Sequence, residues 1–194
     1  MFRQCIATLL TTILLGVSGH SCASATDGAE PLVSIETLDL PRYLGRWYEI
    51  AKFPNWFQKK CLGDTRAEYS IKPDGNVQVI NRCRLESGKT SEAIGTARQV
   101  GGQASPKLEV RFAPDWLSFI PAVWGDYWVI DLDANYQLVA VSEPRRKYLW
   151  VLSRTPQVSS EVYEALLQRL RARGFETRKL EITQQRELPV KSMS

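Results

Sequence analysis

Histidine is almost absent from the 194 residues of this sequence, and its single copy is His20. Without it, the rest of the chain has no Ser-His-Asp or Cys-His pair, no histidine-bound haem and no histidine-bearing zinc site. Two of the four cysteines, Cys5 and Cys22, lie in the same N-terminal segment, so too few remain for an all-thiolate zinc site. A two-carboxylate mechanism needs no histidine, but no acidic pair stands out. We therefore expect no enzyme, no metal and no cofactor.

Long apolar runs are missing too, apart from residues 6–17. This run is too short to span a bilayer. It follows Arg3 and precedes the small residues Ala23-Ser24-Ala25, the pattern of a secretory signal peptide over residues 1–25. Cys22 leaves an alternative open, because bacterial lipoprotein signals carry a lipid-modified cysteine, although the residues before it are a poor match to such a signal. The chain is thus expected to be exported, either soluble or lipid-anchored.

Charge of one sign is not concentrated in any segment. The sequence has 25 basic and 21 acidic residues and a net charge of +4, and the basic residues form no long run, so we expect no nucleic-acid partner. Cys61 and Cys83 remain once the signal is removed, and an even number in an exported chain favours a disulfide. Such a bond stabilises a fold by roughly 3 kcal/mol in the chain-entropy model. The alternative is two unpaired buried thiols.

What the sequence does contain is a series of alternating runs. In residues 43–53, Trp47 and Glu49 alternate with Tyr48 and Ile50 at the period of a strand. Seven further runs follow, over residues 65–71, 77–84, 91–100, 107–112, 125–132, 137–142 and 148–154. They are separated by turn signals such as Pro-Asp-Gly and by no helix. The order predicts an all-β fold, an eight-stranded antiparallel up-and-down β-barrel; a two-sheet sandwich is the competing arrangement.

One C-terminal α-helix is predicted after the last of these strands. Ser159 or Ser160 can cap its start, Val162, Leu166 and Leu170 share one face, and Gly174 suits its end. We expect it to pack outside the barrel, followed by a short strand over residues 179–183. The chain then divides into a signal peptide (1–25), an N-terminal arm (26–38), the barrel plus helix (39–185) and a flexible tail (186–194).

The alternating strand directions bring Trp47 and Arg154 to the same end of the predicted barrel. An arginine over an indole ring contributes about 0.5–2 kcal/mol, and its guanidinium can also bond backbone carbonyls of the incoming arm. We expect this end to be closed.

Three short motifs carry a resemblance to a known family. Gly45-Arg46-Trp47-Tyr48 matches the first lipocalin signature, Leu132-Asp133-Ala134-Asn135-Tyr136 holds the place of the second with only Asp133 kept, and Leu152-Ser153-Arg154-Thr155-Pro156 matches the third. Over residues 38–185 the sequence therefore resembles a lipocalin. The resemblance implies a barrel that carries one small lipophilic ligand. By analogy with bacterial members, it also implies fatty acids or lysophospholipids as ligands, a role in membrane lipid maintenance, and a periplasmic location, soluble or attached to the outer membrane.

The resemblance assigns structural roles to the motif residues Gly45, Trp47, Asp133 and Arg154. A few members of the family catalyse isomerisation through a barrel cysteine, but both remaining cysteines here look paired. Ligand contacts are instead expected from inward positions on the strands. Strand alternation proposes Leu108, Val110, Phe112, Trp128, Ile130, Trp150 and Leu152, with Tyr69 and Glu49 as polar members. For each of these residues, simple core packing is the alternative.

The loops at the other end of the barrel combine aromatic and basic residues. The aromatic and aliphatic members are Trp56, Phe57, Trp116, Leu117, Phe119 and Ile120, and the basic members are Lys59, Lys60, Arg145, Arg146 and Lys147. Such a rim suits an amphiphile with a negatively charged head and its tail inward. It suits equally an anionic membrane surface or self-association as a homodimer, and solvated charges are the plainest alternative.

Overall fold

The structure is a computed structural model that describes residues 30–186. The predicted signal peptide, and with it Cys22, lies outside the described residues, as do residues 187–194 of the predicted tail. Neither helix within the described range combines the length and the apolar character that a bilayer crossing requires.

Eight antiparallel strands form the body of the molecule. They are β1 (Gly45–Lys52), β2 (Gly63–Ile71), β3 (Val77–Arg84), β4 (Thr90–Gln99), β5 (Lys107–Arg111), β6 (Gly125–Leu132), β7 (Leu138–Ser142) and β8 (Leu149–Ser153). Each strand pairs with the next along the chain, and β1 pairs with both β2 and β8, which closes the sheet. This confirms the up-and-down barrel and excludes the two-sheet sandwich.

A ninth strand, β9 (Glu181–Ile182), follows the barrel in the chain and pairs with β1. Ala51 faces Ile182 and Lys52 faces Glu181 across this pair, beyond the point where β1 parts from β2. It is shorter than the predicted strand, because Thr177–Lys179 forms a 3-10 turn first.

The short helix α1 (Leu40–Tyr43) leads into the barrel and is not among the predicted elements. Asp39 caps it by accepting a hydrogen bond from the Arg42 amide, and proline stands in its first turn, where no amide donor is needed. Its last residue, Tyr43, is buried, so α1 covers one end of the barrel.

The helix α2 (Ser160–Ala172) packs on the outside of the barrel, as predicted. Ser159 caps its start, and Leu166, Leu167 and Leu170 are buried against outward side chains of the strands. Arg169 fixes the helix further by donating to both carboxylate oxygens of Asp131 on β6, over 2.8 Å each. Val162 was expected on the buried face but is half exposed.

Two apolar clusters result from this arrangement. One lies between the barrel wall and α2, and the other lies inside the barrel, in the space that we call the lumen. A disulfide joins Cys61, in the loop before β2, to Cys83 near the end of β3, with a Cα–Cα distance of 5.5 Å. The predicted disulfide is therefore confirmed.

Candidate functional site: the barrel lumen

One end of the lumen is closed by the stacked pair of Trp47 and Arg154. Trp47 is fully buried, and the guanidinium carbon of Arg154 lies 3.9 Å from the centroid of its ring. Arg154 also donates to the carbonyl oxygens of Arg46 (2.8 Å) and Arg42 (2.7 Å), while the Trp47 indole donates to the Tyr43 carbonyl over 2.8 Å. The predicted contact and the carbonyl bonds are both present, and we call this the closed end.

Two more motif residues hold the backbone near the closed end. Gly45 has a φ of +93°, and a Cβ there would meet Arg154 Nη1 at 3.4 Å, so a larger residue would strain the chain and crowd the arginine. The Asp133 carboxylate accepts from the amides of Asn135, Gln137 and Leu138 and so fixes the turn between β6 and β7. These contacts agree with the structural roles expected for both residues.

The wall of the lumen is apolar. Its buried aliphatic members are Ala67, Val77, Val79, Ala97, Leu108, Val129, Val139, Val141 and Leu152. Of the residues proposed as ligand contacts, Tyr69, Leu108 and Leu152 belong to this cluster, and Val110 and Trp150 pack against it. These five side chains lie on the expected face, and their contact with a ligand stays a prediction.

The inward direction expected for Trp128 and Ile130 is wrong. Ile130 is buried in the cluster with α2, and Trp128 packs against that cluster, with the Lys107 ammonium 4.1 Å from its ring centroid. Tyr127 and Val129 are the inward residues of β6. Because α2 covers the outside of this strand, β6 is apolar on both faces. Alternation alone therefore does not show which of its residues face the lumen.

Phe112 is also placed differently from the expectation. Strand β5 ends at Arg111, so Phe112 lies beyond it and is 46% exposed. Its ring lies over Gly95, where an added Cβ would come within 2.8 Å of it. Phe112 is therefore not buried, and its contact with a ligand stays a prediction.

The opposite end of the lumen, where β1 ends and β2 begins, is the mouth. Along β4, Ala93 stands in phase with the buried residues Gly95 and Ala97, yet Ala93 is exposed, and its partner Asn81 on β3 is only partly buried. The inward face of β4 is therefore exposed to solvent at this end. Two open depressions, of about 410 and 400 Å³, lie elsewhere, on the outer surface beside Arg46 and Arg111.

The first aromatic loop, between β1 and β2, dips into the mouth. Gln58 donates to Glu49 Oε2 over 2.7 Å and accepts from the Trp150 indole over 3.0 Å. Glu49 is 2% exposed, and Thr183 Oγ1 lies 2.5 Å from its other oxygen. Burial raises the pKa of Glu49. With both carboxyl oxygens bonded to protein groups, Glu49 holds this loop in place, and its contact with a ligand stays a prediction.

The second aromatic loop, between β5 and β6, lies on the outer wall at its start. Arg111 donates to Asp115, and residues 113–115 share a surface depression with the outward residues Lys72 and Gln78. The expectation that this whole loop rings the mouth is therefore wrong. The reason is that β5 ends early, at the level of Thr96 on β4.

The basic residues expected at the rim divide into two groups. Lys59, Lys60, Arg145 and Lys147 are exposed on the loops at the mouth. Arg146 is different, because its guanidinium donates to the Arg173 carbonyl (3.0 Å) and the Glu30 carbonyl (2.8 Å). It ties the end of α2 to the N-terminal arm and is not a free rim cation.

Three tyrosine hydroxyls meet inside the barrel near the closed end. The oxygens of Tyr43 and Tyr127 are 2.6 Å apart, and those of Tyr69 and Tyr127 are 3.1 Å apart. Burial raises the pKa of all three phenols well above the usual value, so they remain neutral. Sequence reasoning found only Tyr69: Tyr43 lies in the unexpected helix α1, and Tyr127 lies on the strand whose phase was misjudged. No group of three His, Cys, Asp or Glu residues within 30–186 is placed to hold a metal ion.

A closed end, an apolar wall and an open mouth define a barrel of the kind that binds small hydrophobic molecules. A family model described as a lipocalin-like domain matches residues 38–185. The chain belongs to the lipocalin family, and the homologues that it matches are binding and transport proteins and not enzymes.

Named relatives agree with this family. The chain is 41% identical over 160 residues to temperature-induced lipocalin-1 of Arabidopsis thaliana, covering 81% of this chain and 85% of that protein. It is 36% identical over 166 residues to outer membrane lipoprotein Blc of Escherichia coli K12, covering 85% and 89%. The solved structure of insecticyanin from the tobacco hornworm Manduca sexta has a TM-score of 0.62 at 19% identity, over 79% of this chain and 84% of that chain; it supports the fold.

Proposed function

We propose that this lipocalin binds one fatty acid or lysophospholipid in its lumen and so takes part in membrane lipid maintenance. The observation that carries the proposal is the polarity of the barrel. Its closed end is sealed by Trp47 and Arg154, its wall is apolar, and its mouth carries exposed cations. An acyl chain removed from water along such a wall gains roughly 0.8 kcal/mol per buried methylene.

The exposed cations at the mouth favour a ligand with an anionic head. Lys59, Lys60, Arg145 and Lys147 are exposed there. A carboxylate or phosphate held at this level keeps its hydration while the chain enters the apolar part, which avoids the cost of burying a charge. The ligand is therefore oriented tail first.

The location proposed for the protein is outside the cytoplasm. The predicted signal peptide supports export, and one relative bears the name outer membrane lipoprotein. Export leads either to a soluble periplasmic protein or to one anchored at Cys22. Membrane fractions washed with salt and then with detergent separate the two forms, since only a lipid anchor requires the detergent.

A bulky side chain introduced into the lumen near the mouth tests the proposal. In the variant Ala93→Trp, the indole takes the place of a small inward side chain near the mouth, whereas Ile94→Trp adds the same ring to the outer face of the same strand. We expect Ala93→Trp to lose most of its affinity for hexadecanoic acid and Ile94→Trp to keep it. Equal affinity in the two variants would overturn binding in the lumen, and mass spectrometry of lipids that copurify with the native protein identifies the ligand.

Contact with a membrane surface is a second candidate, favoured by three unusually exposed aromatic residues. Trp56, Trp116 and Phe119 are 73%, 72% and 78% exposed, and aromatic rings of this kind settle at membrane interfaces. We expect Trp56→Ser, at the mouth, to weaken sedimentation with phosphatidylglycerol vesicles. If the double variant Trp116→Ser/Phe119→Ser has the stronger effect, the second aromatic loop, between β5 and β6, is the docking element. Ultracentrifugation without vesicles distinguishes self-association as a homodimer from membrane contact.

A further inference from the structure

The three tyrosines near the closed end hold one more proton than their mutual contacts can use. Three phenol groups supply three O–H donors, but only two contacts join them, Tyr43 to Tyr127 and Tyr69 to Tyr127. Each contact takes one proton. One donor is therefore left over, whichever way the hydrogen bonds run.

Within residues 30–186 no other side chain or carbonyl bonds to these hydroxyls. Their neighbours in the lumen cluster are aliphatic, among them Val77, Val79, Leu108 and Val139. A buried donor without an acceptor is destabilising, and most such groups in proteins have a partner. The described residues thus offer no acceptor for this proton, and a molecule in the lumen, either water or a ligand, can supply one.

The left-over proton is best assigned to Tyr127. Tyr43 and Tyr69 are 2% and 9% exposed, and their rings stack 5.8 Å apart. Tyr127 is only partly buried and meets the Tyr69 ring edge-on. If Tyr43 and Tyr69 both donate to Tyr127, the Tyr127 hydroxyl keeps its own proton to donate to a molecule in the lumen.

A charged acceptor does not suit this position. The cation on this side, Arg154, lies over Trp47, and its guanidinium is bonded to backbone carbonyls. A carboxylate at the tyrosines would lose its hydration, and a guanidinium already bonded to those carbonyls would offset only part of that cost. A neutral oxygen, as in a hydroxyl or a ketone, accepts the hydrogen bond without that cost.

We propose that the three tyrosines form a hydrogen-bond donor site for a neutral oxygen at the buried end of the ligand, so that the protein selects oxygenated lipid chains over plain ones. This inference rests on the proposed function, because it assumes that an acyl chain enters the lumen tail first. It adds a second polar contact, at the opposite end of the ligand from the anionic head.

Matched ligands test the site. We expect wild-type protein to bind ω-hydroxyhexadecanoic acid at least as tightly as hexadecanoic acid. The variant Tyr127→Phe should bind the hydroxy acid about tenfold more weakly than wild type, a loss that corresponds to one good hydrogen bond. Hexadecanoic acid has no oxygen at its buried end, so the ratio of the two affinities is the readout, and a urea melt shows that the variant folds. Tyr163→Phe, which removes a phenol oxygen from α2 outside the barrel, is the control and should change neither affinity. Shorter pairs of the same two acids cover the case in which the chain length does not match the depth of the lumen.

The outcomes separate this inference from the proposed function. If wild-type protein binds neither acid at any length, lumen binding of acyl chains is overturned and the donor site with it. If it binds the plain acids more tightly at every length and Tyr127→Phe changes nothing, the donor site alone is overturned, and water takes the proton. A direct measurement needs no variant: the carbonyl stretch of a bound (ω-1)-oxohexadecanoic acid should lie below its value in hydrocarbon, and an unshifted band would overturn the site.

Discussion

The side chain of Gln58 reaches into the barrel from the loop between β1 and β2, which we call the mouth loop, and donates a hydrogen bond to Glu49 over 2.7 Å. The same amide accepts from Trp150 and from Asn55, so one glutamine joins the loop to two barrel strands. The carboxyl of Glu49 is deeply buried at this junction, and burial raises its pKa. The position of the mouth loop is therefore coupled to the protonation of one acidic group.

This coupling predicts a pH dependence of stability. Because the pKa of Glu49 is higher in the folded state than in the unfolded state, its contribution is fully present below the unfolded value and is lost as the pH rises through the folded value. Glu49→Gln mimics the protonated form, so its free energy of unfolding should fall less than that of wild type as the pH rises. Urea titrations from about pH 4 to about pH 8 measure this. Glu86→Gln, in an exposed turn, is the control, and parallel curves for wild type and Glu49→Gln would contradict the prediction.

The closed end should be sensitive to Arg154. Its guanidinium joins an indole contact to several backbone carbonyl bonds, so Arg154→Ala should lower the free energy of unfolding by about 2–4 kcal/mol. The free energy of unfolding of Arg154→Lys should lie between those of wild type and Arg154→Ala, because an ammonium group lacks the planar fork of donors. Arg66→Ala, on β2, should cost about 0.5 kcal/mol or less. Equal losses for Arg154→Ala and Arg66→Ala in denaturant melts would show that the contacts of Arg154 at the closed end add nothing to stability.

Two substitutions of buried residues by alanine distinguish the lumen from the apolar cluster between the barrel wall and α2. Ile130 packs against α2, whereas Leu108 faces the lumen. Ile130→Ala and Leu108→Ala should each cost about 2–4 kcal/mol of stability, since both leave a cavity. Only Leu108→Ala should change the affinity for hexadecanoic acid, measured by titration calorimetry at a temperature where both variants are folded. A large loss of affinity in Ile130→Ala alone would reverse our assignment of the two faces of β6.

The disulfide gives a further prediction. Cys61 and Cys83 enclose a sequence separation of 22 residues, so the double variant Cys61→Ser/Cys83→Ser should lose roughly 3 kcal/mol in thermal or urea unfolding. Alkylation followed by mass spectrometry should label these two cysteines only after reduction. Labelling of either one in the unreduced protein would contradict the bond.

Most of the fold could be predicted from the sequence, because its signals are local. Period-two alternation and Pro-Asp-Gly-type turns fix where strands start and stop, and the predicted strands agree with β1 to β8 to within a few residues. The contact of Trp47 with Arg154 followed from strand direction alone. These features depend on backbone geometry and not on details of packing.

The parts that failed depend on tertiary contacts. A strand covered on both faces has no polar side to give its phase, which is why Ile130 was placed inside and Tyr127 was missed. Arg146 looked like its neighbours in sequence, yet its partners lie 27 and 116 residues away. Tyr43 sits in a four-residue helix that no periodicity reveals.

The short pairing of β9 with β1 has a consequence for how copies of this molecule meet. Strand β1 parts from β2 after Tyr48, so the stretch from Ala51 to Lys52 would otherwise present bare amides and carbonyls on that side. Those two residues pair instead with Ile182 and Glu181, and the Thr183 amide donates to the Ile50 carbonyl. An uncovered strand margin invites a neighbouring chain to add on and grow into a fibril. Because residues 181–183 fold back onto β1, this strand margin is not available for pairing with a neighbouring molecule.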